Sequence, residues 1–521
     1  MEVKHLTSQE TFPAAVSESV SPSWVSQHRK ALRVCAALMS VLTIGVLLLA
    51  FGTRRATAPV KAPPKIIAVL PLKPVNPELP DESLESGIPE ILITRLSGIG
   101  PIIVRPFGAT RSYTDPRKDL LEVGHEVQAD AVLDGKIEKS GDRVQMSVRL
   151  LDVHQGTILW SEEFDESFEN IFKVEDAIST RVTNALSLKL NTSEQSRLTK
   201  HYTNSPEAYH LFLQSEYLKD HRDYKRSFEL YQQTLETDGK FALAYAGLAD
   251  ACLKLIAEGT TKLFEADALT IARAALSKAL ELDESLAEAH STLAELTYSF
   301  DYDWSKAEAE FKQAVDLNPN SSQIRLGYGS FLLSAGRFDE SLIQMRKAKE
   351  LDPNSLRVQQ GVGTVYYFMR NYDESLKVFQ EILKQDPNYD GALWWIENNY
   401  QQKVMFAEAL DAAIQDGIRR GTLTKREAEQ RQELFAKSGW PGVLRFRLAI
   451  EKRKPRSTIS HRKLAALYAQ LGDKDEAFSQ LRAAIDQRDP FVIWLKIEPQ
   501  YDSLRLDPRY RDLLMEVNLS P

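Results

Sequence analysis

Few side chains in this sequence are spaced for chemistry. Histidine comes first. His125 falls on a predicted helix, His154 in a predicted turn, and His201, His210 and His221 follow near one another. A metal site needs several donors converging on one point. Only His210 of that trio sits well inside a helix, and the spacings match no ligand-bearing face. The motif HExxH is absent, and the two cysteines, Cys35 and Cys252, stand in unrelated contexts. They predict neither a disulfide framework nor a thiolate metal site. The pair Glu162–Glu163 could do acid–base work, but it sits at a strand end, where carboxylates are solvated. "GVGTVY", from Gly361, has the first two glycines of a dinucleotide fingerprint and lacks the third. Glycines there serve close helix packing. Nothing joins a nucleophile, a base and an oxyanion donor. The sequence therefore predicts no catalytic residue, no metal and no cofactor.

The elements that would have to position such residues divide the chain. Its 521 residues are too many for one compact domain. The formal charge of −8 gives an ordinary, mildly acidic surface, so no nucleic-acid partner is expected. Residues 1–33 are polar and aperiodic and read as disordered. "VCAALMSVLTIGVLLLAFG", Val34–Gly52, carries no charge. As a helix it is about 28 Å long, close to a bilayer's hydrocarbon thickness, and it is expected to be a single membrane anchor (34–53). A Pro-rich linker, 54–64, follows. Lysines and arginines flank both ends of the apolar run, so charge alone does not orient it.

A small α/β module is expected at 65–192. "IIAVLPL", Ile66–Leu72, reads as a buried strand, and Leu84, Ile88, Ile91, Leu92 and Leu96 follow at helical spacing. A second strand, Pro101–Pro106, and a second helix near Leu120–Ala129 come next. The period then becomes two through three strands, with turns at Ser140-Gly141-Asp142 and His154-Gln155-Gly156. In the middle strand Val144, Met146, Val148 and Leu150 share one face. Asn170–Leu186 closes the unit as a helix, giving the order βαβαβββα. This pattern resembles the TolB-type amino-terminal domain that precedes helical repeats in bacterial envelope proteins. It also resembles the output half of CadC-like regulators and of some bacterial adenylate cyclases. The resemblance implies a bacterial inner-membrane, single-pass protein with its body in the periplasm. Only about thirty residues precede the apolar run, so the DNA-binding or cyclase domain of those relatives is not carried over.

From about residue 200 the chain reads as helical with a period of thirty-four. Pro319, Pro353 and Pro387 keep that spacing. So do Trp304, Phe338, Tyr372 and Phe406; Ala307, Ser341, Ser375 and Ala409; Phe311, Met345 and Phe379; and Gly329 and Gly363. Small residues let paired helices approach, large ones fill the gap, and Asp/Asn-Pro ends one pair and starts the next. These columns resemble tetratricopeptide repeats (TPRs). A repeat solenoid is expected at 200–420, with Ile256–Ala268 as an insertion. Degenerate units near Thr424–Arg453 and a helical cap complete 421–521. The fold class is thus α/β plus all-α, with one transmembrane helix. In the TPR family the first helix of each pair lines a concave groove. The resemblance places Arg357, Gln360, Thr364, Trp394, Asn398 and Gln401 there as partner-binding residues. The expected function is a non-enzymatic scaffold, anchored through Val34–Gly52, that recruits a protein or peptide partner. The alternative is the sensor half of a split signalling system.

Overall fold

The computed structural model describes residues 66–519, except 79, 101, 116, 258–261 and 456–457; side chains at 193 and 262–266 also lie outside the description. Pro64–Pro521 form one compact unit. Its first part contains β1 (Ile66–Val69), β2 (Lys73–Pro74), α1 (Glu82–Ser97), β3 (Ile103–Val104), α2 (Phe107–Thr110), α3 (Leu120–Glu126), β4 (Ala131–Ser140), β5 (Arg143–Asp152), β6 (Thr157–Ser167) and α4 (Ile171–Ala185). The sheet order is β3-β1-β4-β5-β6, with β2 beside β4. β1 runs parallel to both neighbours, and β4, β5 and β6 form an antiparallel meander. The period-two pattern of β5 does what it should: Val144, Met146, Val148 and Leu150 are buried, while Gln145 and Arg149 are exposed. Asp81 caps α1 by accepting from the Leu84 N–H. The apolar stripe of α1 enters the same core as the inner face of β5.

After α5 (Thr192–Leu198) the chain is helical. The pairs are α6 (Pro206–Asp220) with α7 (Tyr224–Thr237), α8 (Ala242–Ala257) with α9 (Lys262–Leu282), α10 (Ala287–Leu296) with α11 (Trp304–Leu317), and α12 (Ser322–Ser334) with α13 (Phe338–Leu351). Then come α14 (Leu356–Phe368) with α15 (Tyr372–Gln385), and α16 (Ala392–Gln402) with α17 (Phe406–Arg419). α18 (Lys425–Lys452) is followed by the last pair, α19 (His461–Leu471) and α20 (Lys474–Asp486). Two 3₁₀ turns, Pro490–Trp494 and Pro499–Leu504, lead to α21 (Pro508–Glu516).

The sequence columns have physical counterparts. Trp304, Phe338, Tyr372 and Phe406 each begin the second helix of a pair. Ala307, Ser341, Ser375 and Ala409 are wholly buried. The Ser341 and Ser375 hydroxyls donate to the Gly329 and Gly363 carbonyls at 2.7 and 2.9 Å, stitching each pair together. A Cβ on Gly363 would lie 2.8 Å from the Phe379 ring, so the approach requires glycine. In "LNPNS" and "LDPNS" the serine is the cap: Ser321 and Ser355 accept from the Ile324 and Val358 N–H groups.

Irregularities are absorbed locally. The segment from Asp283 to Asn318 is one residue longer than the period, and a π-turn at Thr297–Asp301, ended by left-handed Tyr302 (φ 56°), takes up the extra residue. The insertion lengthens α9 to 21 residues, against 14 in α11. The degenerate seventh unit keeps its phase. Trp440 follows Phe406 by one period and stacks on it at 5.2 Å and 7°. α18 is two helices meeting at a kink at Gly439, whose φ of 60° and ψ of −168° suit only glycine.

The expected transmembrane helix is corrected here. No helix among the described residues is long and apolar enough to cross a membrane, and Val34–Gly52 lies outside the described residues. The apolar segments that are described, such as those of α8, are spent on the protein's own core. The single-pass, inner-membrane location with a periplasmic body, which rested on that helix, is withdrawn with it.

Candidate functional site

In each unit one residue stands immediately after the buried, tight contact of the first helix. In the first five units those contacts are Ser215, Ala249, Ala294, Gly329 and Gly363. The residues after them are Glu216, Asp250, Glu295, Ser330 and Thr364, and Asn398 holds the same place in the sixth. Three consecutive carboxylates give way to three neutral polar groups. Two lysines lace the carboxylates together. Lys219 lies 2.6 Å from Glu216 and 3.9 Å from Asp250, and Lys254 lies 3.2 Å from Asp250 and 3.7 Å from Glu295. Charge thus zigzags across α6, α8 and α10, with Glu295 the most exposed member.

Negative charge is crowded at this end. Burial works against the Lys219 ammonium, but Glu216, Tyr231 and Asp250 hold it well above the usual lysine range. Burial pushes the Glu90 carboxyl, on α1, well up, and the like charges of Asp220 and Glu216 push it further. Glu288 is raised by burial and again by Glu216 and Asp283.

Each groove residue expected from the sequence has a definite place. Arg357 is exposed on α14, and its charge reaches across to Asp250 and Lys254. Gln360 accepts a 2.9 Å bond from the Tyr389 hydroxyl. Thr364 is buried and donates to the Gln360 carbonyl. Trp394 is half-buried, edge-on to Trp395 at 4.7 Å. Asn398 is buried: its amide donates to the Trp394 carbonyl at 2.7 Å, and its oxygen accepts from Gln500 at 2.9 Å. Gln401 donates to Glu397. Arg357 thus bears electrostatically on the charged ladder, and Gln360 is tied to Tyr389. Asn398 instead faces the chain's own tail.

That tail covers the later units. Gln500 bridges Asn398 to Gln470 of α19. Tyr367 donates to Glu498, and Arg370 binds the Ile497 carbonyl and Asp502, both at 2.9 Å. Trp494 packs on Phe368 and Trp395. Trp304 donates to the Val517 carbonyl. Nothing in the composition of the tail announces this placement. The carboxylate ladder did leave a signal: Glu216 and Asp250 are one period apart. Only the insertion before Glu295 hides the third member.

The α/β module is tied to the repeats by the same Asn-Pro loops that punctuate the sequence. Asn320 and Asn354, one period apart, donate to the Ile102 and Glu126 carbonyls at 2.8 and 3.2 Å. Arg105, 2% exposed, bonds the Val127 and Gln128 carbonyls on one side (2.8 and 2.9 Å). On the other side it bonds Glu350 and Leu351 (2.7 and 2.8 Å). At the first repeat, Arg95 binds Glu175 and Asp176, and Tyr209 donates to Glu175. One apolar core runs from Ile67 to Phe300 across this junction.

The class so defined is a mixed α/β module fused to a TPR array. A family model described as HilA/YgeH-like transcriptional regulator, second domain, matches residues 64–181. A tetratricopeptide repeat model matches residues 301–363. A relative from Rhizobium meliloti (strain 1021), "Putative adenylate cyclase 3", is 29% identical over 234 residues, 44% of this chain and 39% of its own length. The chain thus spans about two fifths of that relative. Among solved structures, a thermophilic TPR protein of Thermus thermophilus is 18% identical, covering 39% of this chain and 98% of its own at a TM-score of 0.31. YrrB, described as a TPR protein with an unusual peptide-binding site, is 20% identical, with 39% and 98% coverage and a TM-score of 0.26.

Proposed function

We propose that this protein is a non-enzymatic scaffold holding a protein or peptide partner against the inner helices of its repeats. The observation that carries the reading is the open run from Glu216 through Asp250 and Glu295 to Arg357 and Gln360. Partly exposed charged or polar groups stand there on the first helix of the first, second, third and fifth units. Recurrent side chains on stacked helices present an extended peptide with evenly spaced contacts. In this reading Arg357, Gln360 and Trp394 touch the partner, while Thr364, Asn398 and Gln401 hold their backbone and neighbours in place. A second reading, the sensor or output half of a split signalling system, is favoured by the match of residues 64–181 to a regulator's second domain. Under it the α/β module reports what the repeats bind. The TolB-type likeness of 65–192 belongs with either.

The test is peptide-display selection on the full chain. Enriched peptides should lose at least about tenfold in affinity with Arg357→Glu or Trp394→Ala, as truncation of central anchors does elsewhere. Failure to enrich any sequence, or equal affinity for both variants, overturns the scaffold reading.

A further inference from the structure

The acidic total conceals one strongly basic stretch. Residues 419–463 hold fourteen Lys and Arg against four Asp and Glu, in a chain whose total is −8. This is the seventh unit and its borders. Some of these cations are spoken for: Arg419 and Arg420 pair with Asp390 and Asp416, Arg447 with Glu397, and Lys454 with Glu451. Lys425, Arg426, Lys437, Arg445 and Arg453 are exposed, and among the described residues no ion pair holds them. Several cations also face one another. Burial lowers the Arg431 guanidinium, and Arg447 lowers it further. Lys463 is lowered by burial and then by Lys454, Arg462 and Arg420, against the pull of Glu451.

The outward face of α18 after its bend adds an apolar component. Val443 and Leu444 point into the core, while Arg445, Phe446, Ala449, Ile450 and Arg453 are exposed. Their spacing of i, i+1, i+4, i+5 and i+8 puts them on one side of the helix. Phe446 is 41% and Ile450 39% exposed, and the Arg431 guanidinium lies 5.9 Å from the Phe446 ring. An apolar pair flanked by arginines matches a segment that alternates carboxylates with apolar side chains. Single-stranded nucleic acid fits less well, because such sites stack successive bases on several aromatic rings. Phe446 is the only aromatic among the large exposed apolar side chains of the described residues.

We infer that the seventh repeat unit is a docking surface for an acidic, amphipathic polypeptide segment, seated on Phe446 and Ile450 and clamped by Arg445 and Arg453. The inference rests on the reading that the partner is a polypeptide, and it places one contact outside the inner face.

The probe is a labelled sixteen-residue peptide rich in Glu with Leu or Phe every third or fourth position, followed by fluorescence anisotropy on the full chain. A Gln-for-Glu peptide, oligo-dT and anionic phosphatidylserine vesicles are run beside it. The expected result is binding of the acidic peptide that weakens with salt. Arg445→Glu with Arg453→Glu should weaken it at least about tenfold, Phe446→Ser should also weaken it, and Arg357→Glu should not. Both arginines are exposed, and unchanged thermal midpoints check folding. Equal binding by the double variant overturns the inference. So does binding of oligo-dT or vesicles without the peptide. Loss with Arg357→Glu alone moves the contact to the inner face, leaving the scaffold reading intact and this inference refuted. If neither this peptide nor any display peptide binds, both readings fall.

Discussion

Replacing Arg105 with methionine should loosen the α/β module from the repeats. The guanidinium supplies four bonds to backbone carbonyls, two on each side of the joint. Methionine fills similar length but donates nothing. The carbonyls of Val127, Gln128, Glu350 and Leu351 would then lose a charged donor, and Asp352, 3% exposed, would lose the cation that lowers its carboxyl. Hydrogen bonds to charged groups contribute about 1.5–3 kcal/mol each, but burying the guanidinium offsets part of that. The offset is visible, because burial outweighs Asp352 and lowers Arg105 itself. Removing one partner of a buried ionic cluster costs about 3–5 kcal/mol net. The unit is too large for two-state unfolding to be assumed, so the assay is native-state hydrogen exchange at residues 123–129 and 350–355. At about 1.4 kcal/mol per factor of ten, exchange should rise on the order of 10²–10³-fold on both sides. Arg105→Lys should recover only part, since one ammonium has three protons for four carbonyls. A rise below about fivefold on both sides would refute the reasoning.

Two further outcomes follow from local geometry. Gly439→Ala puts a Cβ on a backbone at φ 60° and ψ −168°. It should cost about 1–3 kcal/mol, read as earlier proteolysis within 425–452 and a lower thermal midpoint; an unchanged midpoint and cleavage pattern would contradict this. Burial raises Asp352 from 3.8 to about 6, so the folded protein binds the extra proton. Stability should fall by about 3 kcal/mol as pH rises from roughly 4 to 6 and change no further from this group above that. Asp352→Asn should remove that slope from denaturation midpoints measured between pH 4 and 7. Parallel slopes in the two proteins would exclude Asp352 as its source.

The repeats were legible because their determinants are local and recur. A column such as Ala307, Ser341, Ser375 and Ala409 marks the same helix contact four times, and burial at each follows. The β5 alternation was legible for the same reason. Arg105 was not, because a buried arginine bonded to carbonyls on segments more than 200 residues apart leaves no periodic trace. The seventh unit read as degenerate because Gly439 replaces a whole inter-helix turn, although Trp440 and Val443 kept the register. The groove residues were read from position within the unit, and position says nothing of what covers it. Asn398 is turned inward like Thr364, but Gln500 comes from more than 100 residues away to meet it.

The joint also constrains how the repeats can respond to a partner. The α/β module is fixed at two separated places on the array. It shares a continuous core with the first units through α1, α4 and α6, and it grips the fourth and fifth through Asn320, Arg105 and Asn354. Stacked repeats ordinarily change pitch at low cost, because each contacts only its neighbours. Between α6 and α14 that freedom is lost, since a change of pitch would have to break the Arg105 bonds or shear the shared core. The charged ladder from Glu216 to Glu295 lies within the braced span. On the scaffold reading, a partner there would meet a preorganised surface and lose little affinity to ordering it. A change of pitch in that span would load the Arg105 bonds to the Val127 and Gln128 carbonyls beside the end of α3.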